Sequence, residues 1–343
     1  MNSKTLRQFF LLLTVFTLSA QFIFAQTPQR RRASQEVRTV HFDDLRMSDP
    51  YILADPVTKM YYLTSSGGRM WKSEDLKMWT GPYNIIDIDP NSWMGGSPSI
   101  WAAELHYYQG KYYYCATFTN SDIIIEKVPM RYDIERRASH ILVSDKVDGP
   151  YKVMNDELYT PDDQSTLDGT LYVEDGVPYF VYCHEWMQIV DGTMDVVQLK
   201  PDLSGTVGEA KTLFRATSAD WAAEMNSIEE ITFGVELPGW VTDAPELFRT
   251  QTGKLGMLWS SWGEHQYAQG VAYSASGKIS GPWIQEEDAL IGDNAGHGML
   301  FRTFEGKLLL VIHYASLANG RKPIFFEVDD SGDKIKVLNR YNP

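Results

Sequence analysis

The sequence predicts an all-β chain folded as a five-bladed propeller, and three observations carry that prediction. First, five stretches repeat one shape, in which a leading residue comes eight to ten positions before a turn that joins two apolar runs. Asp49 leads DPYILADPVTKMYYLTSS, Trp101 leads WAAELHYYQGKYYYCATFT, Asp168 leads DGTLYVEDGVPYFVYCH, Asp243 leads DAPELFRTQTGKLGMLWSSW, and His297 leads HGMLFRTFEGKLLLVIHYA. Second, a Gly-Pro-aromatic tail recurs at Tyr83, Tyr151 and Trp283, with a partial copy at Pro201 to Gly205. Two independent marks repeating in one order are the signature of a repeat architecture. Third, the runs are rich in Tyr, Val, Ile and Phe and are punctuated by hairpin signals such as Asp175-Gly176. In a radial array of antiparallel sheets the same strand end of every repeat faces one central mouth, so the five leads should converge.

Taken in order, residues Val37 to Met47 form a polar, amphipathic stretch expected to supply an outer strand that closes the ring against the last repeat. Repeat one follows from Asp49. Repeat two contains the aromatic hairpin across Gln109-Gly110-Lys111 and then a polar insert, Thr119 to Arg137, expected to loop over one face. Glu104 lies near its lead, either reaching the centre or resting as a solvated strand-edge carboxylate. In repeat three the run ending His184-Glu185-Trp186 reads as a half-buried strand end or as a wall for a ligand. Asp220 to Trp240 is longer than a minimal connection, and loops of that length in compact domains tend to be functional or disordered. It should border the mouth, with Trp221, Glu224 and Trp240 as candidate contacts. In repeat five, glycines flank His297, which lets the backbone approach whatever the imidazole faces: a water or hydrated cation on the axis, or an ordinary hydrogen bond to a neighbouring strand.

Residues 1–25 carry two basic residues, an apolar run and a small residue at Ala25, the pattern of a secretory signal peptide rather than of a membrane span. Residues 26–36 read as a disordered linker and 37–343 as the propeller domain. Export to the periplasm or the extracellular space is expected. The net charge of −14 would become more negative on loss of Lys4 and Arg7, which disfavours nucleic acid and points to a neutral partner such as an oligosaccharide or polysaccharide. The 10 Trp and 19 Tyr can stack on sugar rings, although in β proteins most aromatics pack between sheets. Cys115 and Cys183 fall in apolar runs of different repeats and are expected as buried free thiols, with a disulfide as the alternative.

Three carboxylates at matched offsets suit glycoside hydrolysis, which needs one carboxylic acid to protonate the leaving oxygen and one carboxylate to activate water or attack carbon. A third carboxylate raises the acid's pKa by like-charge repulsion. Against this, an Asp at a strand start often does no more than accept backbone N–H bonds in a turn.

The order SDPYIL at Ser48, WAAEL at Trp101, LDGTLYVEDG at Leu167, TDAPEL at Thr242 and GHGMLF at Gly296 resembles glycoside hydrolase family 43, over about residues 40 to 330. That family comprises five-bladed propeller hydrolases acting on arabinose- and xylose-containing plant polysaccharides. The resemblance implies an inverting, water-attack mechanism. Asp49 would be the general base, Asp168 the carboxylate that tunes and positions the acid, and His297 the central histidine that accompanies a water or calcium ion. It implies no organic cofactor. The sequence departs from the pattern at the acid, where the family's Glu is matched by Asp243. Asp243 is the first candidate and Glu246 the second, although strand alternation turns Glu246 to the other face. Glu185 or Glu224 could substitute, with Trp101, Glu104, Glu185, Trp221 and Glu224 as candidate substrate contacts. The alternative is a sugar-binding propeller impaired in catalysis.

Overall fold

The computed structural model describes residues 36–128, 133–225, 239–264, 266–316 and 320–343. The expected signal peptide, most of the linker and much of the Asp220–Trp240 connection lie outside these. Strands follow one another blade by blade. Blade 1 holds β1 (Arg38–His41), β2 (Tyr51–Ala54), β3 (Tyr61–Thr64), β4 (Arg69–Ser73) and β5 (Met78–Asn84). Blade 2 holds β6 (Ile86–Asp87), β7 (Ser99–Tyr108), β8 (Lys111–Lys127), β9 (Asp133–Ser144) and β10 (Tyr151–Val153). Blade 3 is β11 (Thr166–Glu174), β12 (Val177–His184), β13 (Thr193–Leu199) and β14 (Thr206–Arg215), with the short α1 (Trp186–Ile189) after β12. Blade 4 is β15 (Asp243–Arg249), β16 (Leu255–Trp262), β17 (Tyr267–Ser274) and β18 (Trp283–Gln285). Blade 5 is β19 (Ala295–Arg302), β20 (Leu308–Ser316), β21 (Gly320–Asp329) and β22 (Lys336–Tyr341). The innermost strands β2, β7, β11, β15 and β19 each touch the next, and β19 returns to β2, closing the ring.

Each gap between blades is filled by its own apolar core, because a sheet here is buried on both faces and its runs are apolar at nearly every position. Tyr62, Met70, Leu105 and Tyr114 fill the first gap; Cys115, Phe180 and Tyr182 the second. Val181, Met257 and Trp259 fill the third, and Leu258, Val271 and Ile312 the fourth. The fifth holds Phe42, Trp71, Trp79, Phe301 and Phe325. Trp79 is fully buried, and truncating such a side chain to Ala costs about 3–5 kcal/mol. Both cysteines are buried and free.

Two expectations need correction. β1 is an outer strand, but it pairs with β5 at the edge of blade 1 and not with the last blade. The ring closes instead through side chains, with Phe42 stacked on Phe325 at 4.1 Å, and through the Met47 N–H donating to Arg321 O. Among the described residues, most of the Thr119–Arg137 insert is not a loop. It continues β8 and β9 as a paired hairpin beyond the blade, from Thr119 opposite Arg137 to Lys127 opposite Asp133. No helix among the described residues is long and apolar enough to cross a membrane.

Candidate active site

Near the mouth end of every innermost strand one residue adopts a left-handed backbone: Asp49 (φ 58°), Ala102 (45°), Asp168 (54°), Ala244 (54°) and His297 (53°). In β7, β11, β15 and β19 it falls in a break in the pairing with the next strand, and in blade 1 it lies just before β2. These five are the equivalent positions. The leads read from sequence are therefore one residue early in blades 2 and 4, where Trp101 and Asp243 match Leu167 and Gly296 instead. All of them still face the same end of the axis.

The left-handed turn aims each of these backbone N–H groups at the preceding blade. Ala102 donates to Ser66 Oγ (3.0 Å), Asp168 to Thr117 Oγ1 (2.7 Å), His297 to Ser260 Oγ (2.8 Å) and Asp49 to His313 Nδ1 (3.2 Å). Thr117, Ser260 and His313 occupy one structural place, opposite Trp101, Asp243 and Gly296 on the neighbouring strand. In blade 3 that place is Cys183, opposite Leu167, and a thiol is a weak acceptor. There the Ala244 N–H is taken by the carboxylate of Asp168, 3.1 Å away at Oδ2.

A cavity of about 550 Å³ opens at this end of the axis, lined by Asp49, Asp168, Asp243, His297, His313 and Arg321, with Trp101, Trp186 and Trp262 among its walls. His297 Nδ1 lies 3.3 Å from Asp49 Oδ1 and 3.7 Å from Asp168 Oδ2. Asp49 also accepts from Ser66 Oγ. Burial alone would raise the pKa of Asp49, but the neighbouring His297 and His313 imidazoles and the bond from Ser66 outweigh it and hold the carboxyl well below the usual range. Burial has the opposite result at Asp243. It pushes this carboxyl up to about 7, the charges of Asp49 and Glu185 adding to the rise while a hydrogen bond from Tyr267 and the charge of Arg321 oppose it. Asp168 is pushed up to about 8, again first by burial, with Asp243 and Asp49 adding to the rise and His297 opposing it. One carboxylate kept ionised beside two carboxyls pushed toward neutrality gives the mouth both a base and an acid, as acid–base hydrolysis needs.

Of the remaining candidates, Trp101 and Glu185 line the cavity, joined by a residue that sequence reasoning missed. The Arg137 guanidinium lies 4.2 Å from the Trp101 ring centroid and pairs with Glu185, which also accepts from Ser165 Oγ (2.7 Å). Glu104 and Glu246 lie elsewhere, two residues past the left-handed positions of blades 2 and 4. They line a small axial cavity of about 10 Å³ that shares Asp49 and His297 with the mouth. Burial raises both well above the usual carboxylate range, the charge of Glu104 adding to the rise at Glu246, and Glu104 Oε2 sits 2.8 Å from His106 Nε2. Trp221 packs into the core on Trp259 (4.7 Å) and over Gly270, away from the cavity wall. Glu224 is not among the lining residues, although its neighbour Met225 is.

Calcium takes six to eight oxygen ligands. Among the described residues no group of three or more His, Cys, Asp or Glu side chains is arranged to hold a metal ion, so a cation beside His297 would draw most of its ligands from water.

Tyr267, His313 and Arg321 were also missed. They sit on second and third strands, away from the repeated leads, with His313 paired opposite Gly296.

Fold and cavity together define a class: a five-bladed propeller with carboxylates gathered at one mouth of its axis. The family model described as Glycosyl hydrolases family 43 matches residues 44–329, and the chain belongs to that family. An endo-arabinase from Bacteroides thetaiotaomicron is similar in structure, with a TM-score of 0.72 and 35% identity, covering 83% of this chain and 95% of its own. An α-L-arabinofuranosidase from Lactobacillus brevis shares the fold at a TM-score of 0.63 and 17% identity, covering 88% of this chain and 100% of its own. An extracellular endo-α-(1→5)-L-arabinanase from Thermotoga petrophila is 29% identical over 195 residues, 51% of this chain. The match spans only 34% of that relative's length.

Proposed function

We propose that this protein is an exported, inverting glycoside hydrolase that cuts α-1,5-linked arabinan within the chain. The observation that carries the reading is the shared cavity in which Asp49 is held ionised while Asp243 is held near neutral pH as an acid. Asp49 takes a proton from the water that attacks the anomeric carbon, and Asp243 gives a proton to the leaving oxygen as the glycosidic bond breaks. Inversion needs room for that water between the two carboxyls. Their origin in blades 1 and 4, which are not neighbours in the ring, favours the wider spacing. Asp168, bonded to the amide that follows Asp243, holds the acid's backbone. Trp101, Trp186 and Trp262 supply faces for sugar rings in a neutral ligand. The choice of arabinan and of internal cleavage rests on the names of the similar endo-arabinase and arabinanase. Export rests on the leader-like residues 1–25 and on the word extracellular in the second name.

The test is release of reducing ends from linear arabinan and from xylan, with the anomer of the first product read by NMR. Arabinan should be cut with inversion, and Asp49→Asn should lose at least about 10³-fold in kcat, as removal of a base acting on water does. Retained stereochemistry would overturn the mechanism. Binding of arabinan without turnover by the unaltered protein would favour a sugar-binding propeller.

A further inference from the structure

Asp243 carries its carboxyl on an arm one methylene shorter than the glutamate its motif resembles, so its reach and aim must be set by its surroundings. Tyr267, at the mouth end of β17, donates its hydroxyl to Asp243 Oδ2 at 2.9 Å. The tyrosine ring lies in a slot built from three sides. It stacks on the His313 imidazole (5.5 Å, 4° between planes) and meets Trp262 edge-on at 5.6 Å. The third side is Gly296, where any Cβ would come within 2.5 Å of the ring. Tyr267 is 8% exposed. Burial first, then the charges of Asp243, Asp168 and Asp49, push its pKa well above the usual phenol value, so it stays a donor throughout the working range.

We propose that Tyr267 is the positioning residue for the acid: its hydroxyl, fixed by the Gly296–His313–Trp262 slot, occupies Oδ2 of Asp243 and so confines the transferable proton to Oδ1. This rests on the reading of Asp243 as the general acid. In a protonated carboxyl the oxygen that accepts a hydrogen bond is the carbonyl oxygen, leaving the hydroxyl on its partner. The proton then leaves from one defined atom, Oδ1, to the glycosidic oxygen as the C–O bond breaks.

The test compares Tyr267→Phe and Asp243→Asn on two substrates: linear arabinan, whose leaving group needs a proton, and a nitrophenyl arabinooligoside, whose nitrophenolate leaves without one. Tyr267→Phe keeps the ring and its stacking. It should lower kcat on arabinan by about 10- to 100-fold, with KM changed by less than about twofold and the aryl substrate nearly spared. The charged and titratable groups that share the cavity with Asp243 are Asp49, Asp168, Glu185, Arg137, His297, His313 and Arg321, and all of them remain. Removing a bond that favours the ionised form should therefore move the alkaline limb of kcat/KM to higher pH. Gly296→Ala displaces the ring by a different route and should give the same substrate-dependent loss, which keeps the proposal testable if Tyr267→Phe folds poorly. Equal losses on both substrates, with an unmoved alkaline limb, would make Tyr267 a packing residue and overturn the proposal. If Asp243→Asn itself fails to distinguish the substrates, the assignment of the acid is what fails.

Discussion

Four blade junctions in this ring are closed by a hydroxyl or an imidazole nitrogen and the fifth by a carboxylate, although all five satisfy the same backbone amide at the same left-handed turn. At the junctions into blades 2, 3 and 5 the acceptors Ser66, Thr117 and Ser260 cannot titrate near neutral pH. At the junction into blade 4 the acceptor is Asp168, one of the acidic groups of the mouth, and the amide it holds belongs to the residue after Asp243. A single side chain there joins the architecture to the chemistry. Cys183, whose thiol is a weak acceptor, stands in the place where its counterparts carry Ser, Thr or His.

Asp168→Ala should do the most damage. It strips a carboxylate from the mouth and leaves the Ala244 N–H without a partner, so kcat should fall by about 10³-fold and unfolding free energy by about 1–3 kcal/mol. Asp168→Asn keeps an acceptor for that amide. It should lose activity while its denaturant midpoint stays near that of the unaltered protein, and equal destabilisation by both substitutions would break the comparison. Ser260→Ala tests a neutral junction. Orphaning the His297 amide should also cost about 1–3 kcal/mol, but without moving either limb of the pH–rate profile.

The smallest effect is expected from Cys183→Ser, which supplies the hydroxyl that the junction into blade 4 lacks and competes with Asp168 for the Ala244 amide. Losing a bond that favours its ionised form, Asp168 should titrate still higher than about 8. A carboxyl whose folded pKa lies above its unfolded value of about 3.9 contributes stability that is full below that value and lost as pH rises through the folded one. The stability–pH curve of Cys183→Ser should therefore decline over a wider range than that of the unaltered protein, extending beyond pH 8. Superimposable curves would show that the thiol does not govern which group takes the amide.

The ring and its blade count were legible in the sequence because each blade repeats a hairpin whose turn and flanking runs carry local signals. The register was not, in two blades. Trp101 and Asp243 drew attention by their chemistry, yet the backbone pivots at Ala102 and Ala244, and alanine gives no hint of a positive φ. The parallel between Trp101-Ala102-Ala103-Glu104 and Asp243-Ala244-Pro245-Glu246 held the information, since both place a glutamate two residues past the pivot, where the structure finds the axial pair. Asp49, Asp168 and Asp243 were readable because they sit on the repeated strand ends. Arg137, Tyr267 and His313 reach the cavity from second and third strands, so their arrival depends on how blades stack, which no local pattern encodes.

Every sheet in the ring is drawn from one uninterrupted span of sequence, and the turn just after the first strand of the described domain meets the end of its last strand around a single ring, Phe325, which stacks on Phe42 at 4.1 Å and meets Tyr341 at 6.3 Å. The order in which blades are synthesised is thus separable from the order in which they stand. A circular permutant opened between blades 3 and 4, with a short linker joining the old ends, would leave every sheet whole and every amide facing its former acceptor.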